Sequence, residues 1–99
     1  MLLTSNKRMI VEAIHEIDNN TKLFYQQKDK EGYTNLENTL ALLIQTTNVI
    51  LENNLDNIDG QVLNTILINA MDAIKIGDTI LLSDILYFDL KPLLERAAM

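Results

Sequence analysis

The chain has 99 residues, 47% of them apolar and 22% charged, with 14 acidic against 8 basic side chains, a net charge of -6 and no cysteine. That length holds one domain, and the composition lies in the globular range. The acidic balance repels phosphate backbones and anionic lipid surfaces, so nucleic acid and membrane are not expected as partners, and without cysteine there is neither a disulfide framework nor a thiolate metal site. A cytoplasmic setting follows as the expectation.

Unbranched helix formers outnumber the β-branched and aromatic residues that strands prefer. Gly32, Gly60 and Gly77 are spaced almost evenly, as three connections between four helices would be. The fold class expected is all-α, a single-domain antiparallel up-and-down four-helix bundle over residues 1–99, with helices at about 5–27, 34–53, 60–76 and 79–97.

Helix one should start after Thr4 or Ser5, with Ile10, Ile14, Ile17, Thr21 and Phe24 on one stripe. The charged segment from Lys28 to Gly32 reads as a connection, and Thr34 with Glu37 three residues on reads as a capping box that opens helix two. Its stripe is Tyr33, Leu36, Leu40, Leu43, Thr47 and Ile50, widened by Ile44 and Leu51. The Asn- and Asp-rich stretch from Asn53 to Gly60 predicts the longest loop, with Asp59 as the N-cap of helix three. On that helix Leu63, Leu67, Ala70 and Ile74 form one edge with Val62 and Ile66 beside them, and Gly77-Asp78 then supplies a stop and a start in two residues. In helix four, Pro92 removes a backbone donor and clashes with the carbonyl of Phe88, which predicts a kink or an early end.

Chemistry-bearing patterns are sparse. Glu12 and His15 make a Glu-x-x-His pair, the half-motif of di-iron carboxylate bundles, but the chain has no second histidine to complete such a site. No nucleophile, phosphate loop or cofactor fingerprint accompanies the scattered carboxylates. No enzyme activity, cofactor or metal is expected.

Helix four carries more apolar surface than one neighbour needs. At 100° per residue, Leu82, Leu86, Leu90 and Leu93 form a core stripe, and Leu81, Ile85 and Phe88 form a second. The second stripe either buries against another helix of the same bundle or, with Tyr87, forms a patch that binds a partner helix or closes a homodimer. The function expected is protein–protein interaction, by an adaptor or a chaperone-like bundle, with a self-associating structural homodimer as the alternative.

The charged turn Lys28-Asp29-Lys30-Glu31, the Leu-rich second helix and the turn Gly77-Asp78-Thr79 before a Leu-rich final helix give the chain a layout that resembles flagellin-type export chaperones, small acidic bacterial bundles that clamp client helices. The chain is shorter than members of that family, and no functional residue carries over. The run from Gly77 to Leu86, closed by Lys91-Pro92-Leu93-Leu94-Glu95, is also similar to the tails of small uncharacterised helical proteins of low-GC Gram-positive bacteria. The many Asn and Ile with only two Arg match the codon bias of an AT-rich bacterial genome.

Overall fold

The 3-and-4 spacing of apolar residues near the N-terminus is realised in α1 (Thr4–Tyr25), whose Ile10, Ala13, Ile17 and Phe24 are wholly buried. A computed structural model of the chain describes residues 4–53 and 58–98, and all of its regular structure is helical. After α1 come α2 (Asp29–Glu52), α3 (Gly60–Ile76) and a last helix in three consecutive parts, namely α4 (Thr79–Asp84), a π turn (Ile85–Leu90) and α5 (Lys91–Ala98). The chain folds into a compact globule of four helices with a Cα radius of gyration of 13.0 Å, close to the roughly 13 Å usual for about 100 residues.

Two expected caps form. Asp59 Oδ1 accepts from the Gln61 and Val62 N–H groups at 2.9 and 3.4 Å, and Asp78 Oδ1 accepts from Leu81 N–H at 2.9 Å. Gly77 ends α3 at φ 71°, a left-handed conformation that costs glycine nothing and other residues about 1–2 kcal/mol. Half of the expected long loop falls on residues 54–57, outside the described residues.

The first connection differs from expectation. Helix α2 starts at Asp29, not near Thr34, and the turn is made by Gln26–Lys28, with Gln27 at φ 60°. The capping box is unused, since the Thr34 hydroxyl donates to the Lys30 carbonyl one turn back inside the helix. Gly32 is therefore a contact residue rather than a loop residue. A Cβ placed there would lie 2.6 Å from Phe24 Cε1, so the bare backbone lets α1 and α2 approach. At the same crossing, the wholly buried Asn20 donates from Nδ2 to the Gly32 carbonyl at 3.0 Å and to Asn35 Oδ1 at 3.1 Å.

Pro92 does not end the last helix. Upstream the helix widens into the π turn, in which Lys91 N–H reaches back five residues to the Leu86 carbonyl, and the chain then stays helical through Pro92 to Ala98. The insertion of a π turn next to a proline accommodates the missing donor and the crowded carbonyl that an unbroken α-helix would have to tolerate.

The core lies where α1 meets the last helix, with Leu82, Leu86, Leu90, Leu93 and Leu94 all buried against Ile10, Ile17 and Phe24. By area, each such side chain stabilises the fold by about 1.5–3 kcal/mol. Helix α1 packs on both α2 and the last helix, and α3 packs on α4 and the π turn. Helices α2 and α3 have only sparse direct packing.

Candidate functional site

A four-helix bundle has four seams, and one of them here is open. Between α2 and α3 lies a groove of about 300 Å³, lined by Leu40, Leu43, Ile44, Thr47 and Asn48 on one wall and by Leu67, Ala70 and Met71 on the other, with Leu86 of the π turn at its floor. The apolar face of α2 explains it. Leu36, Leu43 and Ile50 are buried toward α1 together with Thr39 and Thr46, whose hydroxyls donate to the carbonyls of Asn35 and Leu42 four residues back. Ile44 and Leu51, expected to widen the core stripe, are on the other side and exposed, Ile44 at 63%. Threonines that satisfy their own hydroxyls take core positions, so the face of α2 is rotated and no helix among the described residues covers its Leu40–Ile44 edge.

Across the groove Met71 forms the opposite lip, 49% exposed. At one end, α2 and α3 approach through Leu51, whose Cδ2 would lie 3.3 Å from a Cβ at Gly60. Among the described residues the lining has no titratable side chain, and Thr47 and Asn48 are its only polar members. Small-molecule sites combine an apolar wall with convergent polar groups that fix orientation. This groove instead offers a strip of hydrocarbon from Leu40 to Asn48, about 12 Å at 1.5 Å per residue, or two turns of an opposing helix.

The partner residues expected from the sequence do not form one patch. Ile85 is 7% exposed and belongs to the core, whereas Leu81 and Phe88 are exposed, Phe88 at 63%. A π turn advances fewer degrees per residue than an α turn, so a wheel drawn at a constant 100° misplaces residues between Ile85 and Leu90. Leu81 and Ile85 border a shallow depression with Ala73, Ile76, Asp72 and Asp89, while Tyr87 lines a different cleft, against α1. Tyr87 and Phe88 pack edge to face with ring centroids 5.1 Å apart.

The Tyr87 cleft holds the polar ties between α1 and the last helix. The Tyr25 hydroxyl donates to Asp84 Oδ1 at 2.6 Å, and Lys91 Nζ donates to Asp18 Oδ1 at 2.7 Å while lying 4.6 Å from the centre of the Tyr87 ring. Partial desolvation, reinforced by hydrogen bonding to the Asp84 carboxylate, pushes the Tyr25 phenol up to about 12, and the bond to Asp18 raises the Lys91 ammonium. Both are ties between elements.

Glu12 and His15 are both exposed on α1, and among the described residues no group of three or more His, Cys, Asp or Glu side chains is placed to hold a metal ion. Among the same residues no helix is long and apolar enough to cross a membrane. Residues 1–98 match a family described as Domain of unknown function (DUF8042). The chain belongs to that family. Neither a curated protein nor a solved structure matches it. Among the described residues, the open groove is where this family member departs from a closed four-helix core.

Proposed function

We propose that the chain is a protein–protein interaction module, an adaptor or chaperone-like helical bundle, whose α2/α3 groove receives an amphipathic helix from a partner. The observation that carries this reading is the open seam, in which apolar lips at Ile44 and Met71 flank a groove floored by the buried Leu86. A helix that places apolar side chains at i, i+3 or i+4, and i+7 spans about 10.5 Å and matches the two turns of the groove. In this reading the partner supplies the packing that α2 and α3 do not give each other.

The underlying architecture is taken as an antiparallel up-and-down bundle. Supporting that arrangement, Asn20 bonds Gly32 and Asn35 while Asn35 Nδ2 donates to Glu16, and Tyr25 pairs with Asp84 while Asp18 pairs with Lys91. In each pair of helices later residues of one meet earlier residues of the other. The protein acts without catalysis, cofactor or nucleic acid, in the cytoplasm. The site is the groove, with Leu81, Tyr87 and Phe88 outside it.

The test is selection of displayed peptides on the native chain, with Ile44→Glu and Met71→Glu variants as counter-selection. Both substitutions fall on exposed positions, so folding is retained. Enriched peptides should share an apolar helical stripe and lose binding to either variant. Peptides without that stripe, or with undiminished binding to both variants, sink the reading. A second reading, self-association as a homodimer, draws on the exposed Phe88 with Leu81 and Ile80 outside the groove. Light scattering on a dilution series should then show a dimer that Phe88→Glu splits; a native chain monomeric at every concentration removes it.

A further inference from the structure

The walls of the groove are unusual in charge as well as in packing. From Glu31 through Ile74 the sequence contains no lysine, arginine or histidine, and this stretch supplies the whole lining except Leu86. Glu37 stands one turn before Leu40, and Glu52 one turn beyond Asn48, along the same side of α2. Asp59 caps the start of α3, at the end where Leu51 approaches Gly60, while Asp72 faces the separate depression with Leu81 and Ile85. Most bases are placed elsewhere, with Lys7, Arg8 and Lys22 on α1, Lys28 in the first connection, and Lys91 and Arg96 on the last helix, while Lys30 lies in the first turn of α2. Lys75, one turn past Met71, is the single base of α3 and sits in its last turn.

An apolar groove with acidic ends selects among helices that would otherwise fit it equally well. A partner helix with acidic flanks meets like charge at Glu37 and Glu52, and so does a second copy docked face to face through the same groove. Such juxtapositions suppress wrong partners more effectively than matched charges strengthen right ones. We infer that the occupant of the α2/α3 groove is a cationic amphipathic helix, whose apolar stripe fills the groove and whose flanking lysines or arginines lie over Glu37 and Glu52. This inference rests on the groove being the binding site and adds the charge of what binds there.

The experiment uses two synthetic peptides of roughly 18 residues, above the length at which isolated helices are marginal, with the same Leu stripe and either Lys or Glu at the flanking positions. Each is titrated into the full chain by fluorescence anisotropy. The Lys peptide should bind at least about tenfold more tightly than the Glu peptide, a gap that narrows as salt rises from about 50 to 300 mM and shortens the screening length. Combining Glu37→Gln with Glu52→Gln, both exposed positions, should remove most of the preference without unfolding the chain. Equal binding of the two peptides, abolished by Ile44→Glu, would keep the groove as the site and overturn the cationic occupant. Binding of neither peptide, or binding indifferent to Ile44→Glu, overturns both readings. A native dimer that Ile44→Glu splits would put a second copy in the groove and overturn the inference as well.

Discussion

The seam between α1 and the last helix and the seam between α2 and α3 are made from similar apolar residues, yet one is closed and the other is not. The closed seam has leucines and isoleucines buried on both sides and is tied at its rim by Tyr25 to Asp84 and Lys91 to Asp18. The open one has Ile44 and Met71 at its lips and touches at the Leu51–Gly60 end. Apolar content alone therefore does not determine which faces of a small bundle close. Closure follows where both helices bring continuous stripes and where the rim offers pairs that fix their alignment, and α2 spends its central stripe on α1.

The sharpest way to break this contrast is to truncate one side chain in each seam. Leu90→Ala in the closed seam should lower stability by about 2–5 kcal/mol, whereas Ile44→Ala at the open lip should change it by less than about 0.5 kcal/mol, both read from urea denaturation. Comparable losses at the two positions would mean that the groove is covered in solution. Gly32→Ala tests how closely α1 and α2 must approach. Alanine gains about 1 kcal/mol in helix propensity, but overpacking a buried ring costs about 1–3 kcal/mol, so a net loss is expected. Replacing Phe24 by Leu in the same chain should recover part of that loss.

Smaller effects probe the polar ties. A phenol held at about 12, against 10.0 for an ordinary tyrosine, keeps its proton in the folded state after the unfolded chain has lost it. Its contribution is complete below about pH 10 and is lost as pH rises to about 12, so stability falls across that window. Lys91, also raised, acts in the same direction. Thermal melts of Tyr25→Phe should show a shallower alkaline decline than the native chain, and equal slopes would remove Tyr25 from the tie. The smallest change expected is at Gln27, where φ is 60°. Gln27→Gly should stabilise by a few tenths of a kcal/mol, since relief of about 1–2 kcal/mol of left-handed strain is offset by about 0.5–1 kcal/mol of chain entropy.

Local chemistry was the most legible part of the sequence. The caps at Asp59 and Asp78 and the stop at Gly77 form as their residue types require, because a short side chain beside a helix end needs no tertiary partner to bond it. Gly32 shows the opposite. It reads as punctuation, but its role depends on Phe24, eight residues away and on another helix. Thr39 and Thr46 were missed as core because an apolar pattern ignores hydroxyls that bond their own helix. The groove left one trace in the sequence, an α2 stripe wider than one neighbour can cover. Which edge would stay bare depended on how α2 turns against α1, and side-chain spacing does not fix that.

The π turn carries one residue more than the α turn it replaces, and so acts as a phase shifter within a continuous helix. Before and through it, the last helix touches both α1 and α3; after it, α5 leans on α1. A deletion of one residue between Ile85 and Leu90 would let the segment close as ordinary α-helix and keep Leu93, Leu94 and Ala97 facing α1, whereas forcing all six residues into α geometry would swing them around the axis by about 100°, away from α1. The wide turn of this six-residue segment therefore decides whether the floor of the groove and the core behind it can be occupied by the same helix.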